Sequence, residues 1–415
     1  MIQKLTVLGG SSVYIPEFIL SLISHNILPK EVVLFGKPGK KLEVVSAFCQ
    51  RLVAQSGYPS VITPSSDLES AAQDADYVLN HIRVGGMKAR IRDEKLPPTM
   101  GMIGDESLGA GGLANALRTL PVILDYAKRV EAVNPNCTFI NLTNPMGIVL
   151  ETLIRETDLN VIGVCDLPGT YTREIAHLLH TPEDELFFNF IGLNHMGWIQ
   201  DVRADKSSRM LDVLDRILEV DSDWFDNELI ELFRMIPTRT VSLYFHADRI
   251  LKEQQKQSLF RGEVLHEAEK QILAMYADVS LHEIPPLTKE RNTSWYEETI
   301  IPLINALESK KPKSLILGIR NDGAIRDLPD DCSVEIPVTV SKNGFERRNI
   351  GSCPYFLKGL FQIVKESDRC IVEAAKHRSY ERALQAFTIN PLVPSLETAR
   401  KFLDRVVKDE KIELH

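Results

Sequence analysis

The sequence predicts an α/β fold in which a doubly wound parallel sheet is followed by a second, mixed α+β region. Short β-branched runs alternate with amphipathic stretches from the first residues onward, and a glycine pair directly follows the first run. At 415 residues the chain is longer than one hydrophobic core ordinarily organises, so two closely joined domains are expected.

The strand-like runs fall at 4–10, 31–36, 60–64, 76–83, 138–144 and 160–165, and helical stretches at 16–24, 41–55 and 113–133 lie between them. Residues 187–202 still read as strand. Beyond them the apolar period turns helical at 210–220, 227–235, 262–276 and 292–309, then strands are expected at 314–318 and 333–340 and terminal helices from 356. This places a Rossmann-like dinucleotide-binding domain at 1–170. A C-terminal α+β domain at 171–415 is expected to carry substrate, metal and oligomer contacts.

Composition narrows the partners. A net charge of −9 argues against nucleic acid or an anionic membrane surface, so an anionic ligand has to be met by a local basic cluster. Six scattered cysteines without a Cys-x-x-Cys pair suit a reducing compartment. The start lacks the basic and apolar segments of a signal peptide, so a cytoplasmic protein is expected.

The chemistry-bearing residues cluster at predicted strand ends. Gly9-Gly10-Ser11-Ser12 joins a strand to a helix, where backbone amides can approach a pyrophosphate. At the end of the second strand, where NAD-binding folds carry a ribose-binding acid, the chain has Gly36 and then Lys37, Lys40 and Lys41. These lysines read either as a ligand for the 2′-phosphate of NADP or as a solvated helix start. Asn141-Leu142-Thr143-Asn144-Pro145 closes the fifth strand, Cys165 follows Gly163 at the end of the sixth, and His195 ends Gly-Leu-Asn-His. A thiolate and an imidazole can share a divalent cation and leave positions for substrate oxygens. The glycine-rich stretch 101–112, which contains Asp105 and Glu106, reads as a loop walling an active site. Arg83 precedes it and Arg261 lies far along the chain, each able to grip a phosphate.

In combination, these segments resemble glycoside hydrolase family 4, the NAD- and Mn-dependent 6-phospho-glucosidases. The resemblance runs through Gly9–Ser12 with Tyr14 and Pro16-Glu17, Arg83-Val84-Gly85-Gly86, Asp93-Glu94 and Gly104 to Gly112. It continues through Asn141-x-Thr143-Asn144-Pro145, Cys165-Asp166-x-Pro168, Gly192-Leu193-Asn194-His195, Arg261, Asn321-x-Gly323 and Leu328-Pro329-x-Asp331. It implies a redox route: oxidation at sugar C3 by bound NAD, loss of the acidified C2 proton to a base, elimination of the aglycone from C1, then addition of water and return of the hydride.

The resemblance assigns the metal, Mn²⁺ by family habit, to Cys165 and His195. The dinucleotide, NAD with NADP as the alternative, falls to Gly9, Gly10, Ser11, Ser12, Lys37 and Asn141. Arg83, Glu106, Asn144, Asn194 and Arg261 are assigned to a sugar 6-phosphate glycoside, and Asp166 to protonation of the departing oxygen. It also implies a homodimer or homotetramer.

The chain departs from the family pattern at three positions. Thr240 stands where the family has its tyrosine base, and Tyr244 lies one helical turn further on the same face, so both are catalytic candidates, with the Tyr244 phenol the alternative base expected to reach the site. Asp105 replaces a glutamine, and Gly36 replaces the ribose acid. The Asp after Cys165 is typical of 6-phospho-α-glucosidases, whereas the remainder resembles the β group. The expected activity is therefore 6-phospho-β-glucosidase. The α activity, a catalytically altered member that binds sugar phosphate or nucleotide, and a simple NAD(P)-dependent dehydrogenase are the alternatives.

Overall fold

A computed structural model describes residues 2–220, 222–291 and 296–415. Its parallel strands are β1 (Lys4–Leu8), β2 (Glu31–Phe35), β3 (Val61–Ser65), β4 (Tyr77–Asn80), β5 (Thr138–Asn141) and β6 (Asn160–Gly163). They are followed by β7 (Leu186–Leu193), β8 (Met196–Ala204), β9 (Ser207–Ser208), β10 (Ile236–Pro237), β11 (Lys313–Arg320), β12 (Ser333–Ser341) and β13 (Gly344–Arg347). Among the described residues these form one 13-stranded sheet, ordered β10-β8-β7-β12-β11-β6-β5-β4-β1-β2-β3.

The half running β3-β2-β1-β4-β5-β6 is parallel and has the order of a dinucleotide-binding sheet. Alternation along β1 explains the two covering layers. Leu5 and Val7 pack with Ile15, Phe18 and Phe48 on one face, while Leu8 packs with Leu113 and Leu117 on the other. The helix Ile15–Ser24 starts with Pro16 in its first turn and buries Ile15, Phe18, Ile19 and Leu22, one stripe at helical spacing.

The sheet continues without a break into the C-terminal half. β6 meets β11 antiparallel at Gly163 and Gly318, and β12 meets β7 at Glu335 and Gly192. Residue 170 falls inside the helix Asp166–Leu179, so the two halves share sheet as well as side-chain contacts. Among the described residues no helix is long and apolar enough to cross a membrane.

Three sequence expectations are corrected. The run 187–202 is a hairpin of β7 and β8 rather than one strand, turning at Asn194-His195. The turn escaped notice because it contains neither glycine nor proline. His195 itself takes the left-handed conformation, with φ of 61°. The stretch 101–112 is no open loop, because Gly109 begins the helix Gly109–Val133 and residues 107–112 are buried. The predicted helix 292–309 is described from 296 onward, as a π-helical turn Tyr296–Ile300 leading into Ile301–Glu308; its first four residues lie outside the described residues.

Candidate active site

The carboxyl ends of β1, β4, β5 and β6 and the β7–β8 turn open onto one cavity of about 1030 Å³. This is where an open parallel sheet exposes ligand-facing loops, because each strand must there hand over to a helix. Gly9, Ser11, Ser12, Lys37, Arg83, Glu106, Asn144, Cys165, Asp166, His195, Thr240 and Arg261 all line it. Lysines and arginines outnumber acids eight to three along the wall, although the chain as a whole is acidic.

The first turn is shaped by close packing. Gly9 has φ of 98°, and a Cβ there would lie 2.4 Å from the His81 carbonyl oxygen. A Cβ on Gly10 would lie 2.6 Å from the Leu34 Cα, so this glycine is used against β2 and does not line the cavity. Both amides donate to the Phe35 carbonyl, at 3.0 and 2.8 Å, which leaves Ser11 and Ser12 as the turn's cavity-facing polar groups.

Glu106 organises the cationic wall. Its two carboxylate oxygens pair with Arg83 and, at 3.1 Å, with Arg90. Burial works to raise its pKa, but the two guanidinium groups outweigh that cost and hold the carboxyl well below its usual range. Arg291 stands beside them, its pKa lowered by burial and by the neighbouring Arg83 and Arg90, with its guanidinium 4.9 Å from the Tyr14 ring centre. His81 is buried next to this cluster. Desolvation, reinforced by Arg291 and Arg83, pulls it down to about 3, so its imidazole is neutral at pH 7.

Cys165 caps the helix Asp166–Leu179 and places Asp166 at that helix's first position, with Sγ 3.7 Å from an Asp166 oxygen. Burial raises its thiol pKa, and Glu335 and Asp166 add to the rise. His195 reaches the same cavity from the hairpin turn, and its Nδ1 is buried without a hydrogen-bond partner among the described residues. Thr240 Oγ1 donates to the His195 carbonyl at 2.7 Å. Two residues earlier, Thr238 is tied to Gly197 by Thr238 N to Gly197 O at 2.9 Å and Gly197 N to Thr238 Oγ1 at 3.2 Å. The segment around β10 therefore straps the hairpin turn that carries His195.

A sulfur and an unpartnered ring nitrogen facing one cavity fit a divalent cation that completes its shell with oxygens. The Gly9–Ser12 turn under a cationic wall likewise fits a dinucleotide pyrophosphate.

Three more sequence candidates lie outside the large cavity. Asn141 is fully buried beneath the β5 loop, its Oδ1 accepting from Asn80 Nδ2 at 2.8 Å and from the Thr143 amide at 3.3 Å, so it supports the loop from below. Asn194 and Tyr244 line a separate cavity of about 30 Å³ with Lys365 and Asp368. Asn194 Nδ2 donates to Glu335 at 3.3 Å. The Tyr244 phenol is pushed above its usual range by burial, with Asp368 and Asp105 adding to the shift.

The structure also adds residues that sequence reasoning missed. Arg291, His266 and Glu269 line the cavity, as do Trp224 and Arg239, whose guanidinium lies 5.3 Å over the indole. Nothing local distinguishes these residues from surface groups. His266 and Glu269 come in on the helix Arg261–Tyr276, Arg291 ends the turn Pro286–Arg291, and Trp224 and Arg239 lie on either side of the helix Asn227–Phe233.

Comparison with known proteins agrees with this geometry. Residues 4–181 match the family profile described as family 4 glycosyl hydrolase, and residues 190–393 match its C-terminal domain. A probable 6-phospho-β-glucosidase of Bacillus subtilis is 34% identical, covering 98% of this chain and 96% of its own. A phospho-α-glucosidase of Clostridium acetobutylicum is 27% identical, covering 98% of both. The solved 6-phospho-β-glucosidase of Thermotoga maritima with manganese, NAD⁺ and glucose 6-phosphate superposes with a TM-score of 0.91 at 29% identity, over all of both chains. Fold, strand-end cavity and full-length similarity converge: this chain belongs to glycosyl hydrolase family 4.

Proposed function

We propose that the protein hydrolyses O-glycosidic bonds of 6-phosphorylated glucosides, preferring the β anomer, with a nicotinamide dinucleotide and a divalent cation, Mn²⁺. The observation that carries this reading is a single cavity that brings together the Gly9–Ser12 turn, the Cys165/His195 donor pair and a wall dominated by cations. The solved Thermotoga maritima relative, with manganese, NAD⁺ and glucose 6-phosphate, supports the choice of ligands.

Bound there, the dinucleotide supplies hydride acceptance and return at sugar C3, and the cation supplies the charge that acidifies the C2 proton. Cys165 and His195 hold the cation. Asp166, at a helix start beside Cys165, donates a proton to the departing oxygen. Arg83, fixed by Glu106, and Arg261, at the start of its helix, bind the sugar and its 6-phosphate, while Asn144 offers its side chain at the end of β5. Thr240 acts through His195, because its hydroxyl is already donated to that carbonyl. The first 170 residues carry the cofactor turn, and the remainder brings His195, Thr240 and Arg261. The protein works in the cytoplasm as a homo-oligomer, in keeping with its scattered free cysteines.

Asp166 after Cys165 favours the α anomer as the second reading. Aglycone release from p-nitrophenyl 6-phospho-β- and 6-phospho-α-glucoside, with dinucleotide, Mn²⁺ and reductant, tests both. Faster release from the β substrate supports the proposal, and faster release from the α substrate transfers it to the other anomer. Binding of glucose 6-phosphate without release from either substrate assigns a non-hydrolytic binder. Net accumulation of reduced cofactor assigns a dehydrogenase.

A further inference from the structure

We propose that the cavity corner beyond β2 binds a phosphate on the adenosine 2′ position, so that this chain prefers NADP over NAD. The inference rests on the reading of the cavity as a dinucleotide site and specifies which dinucleotide it takes.

Gly36 directly follows β2, whose last residue Phe35 stands in register with Leu8, one residue before the Gly9 turn. In a doubly wound sheet this position faces the adenosine ribose, and an acid here accepts from the ribose hydroxyls and repels a 2′-phosphate. The backbone does not require glycine here. Gly36 is not in the left-handed region, and the atoms nearest a Cβ there would be Leu42 Cδ1 at 3.5 Å, Ser11 Oγ at 3.6 Å and Ser11 Cβ at 3.7 Å, which is ordinary contact. The missing side chain therefore leaves usable space beside a hydroxyl.

The groups around that space suit a dianion. Lys37 and Lys41 both line the cavity, as does His266, which the helix Arg261–Tyr276 carries. Of the three acids on the wall, Glu269 is the one that contacts a lysine of this corner, Lys41 at 3.5 Å, which partly offsets its charge. Lys37 has no carboxylate partner among the described residues. An exposed ammonium of this kind can meet a phosphate as a point charge. The lysine cluster that sequence alone leaves as a solvated helix start is thus in part a cavity wall.

Direct titration of the purified full-length protein with NAD⁺ and NADP⁺, followed by calorimetry without sugar substrate, tests the assignment. The expected result is at least about tenfold tighter binding of NADP⁺. Lys37→Ala should weaken NADP⁺ several-fold and leave NAD⁺ unchanged, and Gly36→Asp should reverse the order of the two. Adenosine 2′,5′-bisphosphate should compete with NADP⁺, whereas inorganic phosphate at the same concentration should not. Equal or tighter binding of NAD⁺ by the natural sequence overturns the inference, and weakening of NAD⁺ by Glu269→Gln would then identify Glu269 as the ribose acid. If neither dinucleotide binds, the reading of the cavity as a cofactor site falls, and this inference falls with it.

Discussion

At the scale of single residues, the Thr240 hydroxyl is spent on the backbone carbonyl of His195. A non-glycine residue at φ of 61° costs of order 1 kcal/mol, so the turn needs outside contacts to hold it. Thr240→Val removes one of these contacts at nearly constant volume. Mn²⁺ affinity, read by electron paramagnetic resonance of the free ion, should fall about tenfold, and Thr240→Ser should restore it. Unchanged affinity in the valine variant would make the hydrogen bond incidental.

His81 provides a pH signature at the same scale. The unfolded chain protonates this side chain near 6.5, whereas the folded protein resists protonation down to about 3. The unfolded state therefore holds more protons across that window, and stability declines as pH falls through it. Relative to His81→Asn, the natural protein should lose up to about 1.4 kcal/mol more per pH unit between 6 and 4 in urea unfolding. Parallel pH dependences for the two proteins would refute this.

At the scale of elements, the helix Met146–Glu156, which follows the Asn144-Pro145 motif, is anchored to the helix Tyr355–His377 by a charge pair out of water. Lys365 Nζ lies 3.0 Å from Glu151 Oε2, with side chains 1% and 0% exposed, and the same carboxylate accepts from the Ser333 amide at 2.8 Å. Arg369 lies 3.5 Å from the other Glu151 oxygen but is partly exposed, so Lys365→Met leaves this buried carboxylate with its weaker cation and should cost about 3 kcal/mol in urea unfolding. Replacing Glu151 by Leu in the same chain should recover part of that loss, because a well-packed apolar pair removes the stranded charge. No recovery would mean that the Ser333 contact dominates.

What the sequence discloses also differs by element. β1 to β6 were legible because each is a short apolar run between helical stretches. The β7–β8 hairpin was not, since its turn residue is a histidine that reaches the left-handed region only with help from the strand-and-turn segment 236–241. Cys165 and His195 were found from their glycine-flanked motifs at strand ends. Tyr244 sits one helical turn beyond Thr240 but lines a different cavity, because the short helix Ser242–Phe245 turns that face toward Leu108 and Leu392.

At the scale of the whole molecule, one continuous sheet unites what composition and period suggested were two regions. The junction joins residues some 150 positions apart, Gly163 and Gly318, and no local pattern announces such a pairing. Its consequence is one shared cavity, to which the parallel half supplies the Gly9–Ser12 turn and Cys165, while the antiparallel half supplies His195. Arg291, Trp224 and Arg239 come to the cavity only through this assembly, which is why they read as surface residues in the sequence.

The central step of the proposed reaction is elimination and water addition through C2 of a phosphosugar. Hydrolysis of p-nitrophenyl 6-phospho-β-glucoside in D₂O, with product glucose 6-phosphate examined by mass spectrometry and NMR, tests it directly. Loss of the C2 proton to a base and its replacement from solvent predict deuterium at C2 of the product. Product formed with C2 fully protonated would contradict the redox route and require direct displacement at C1.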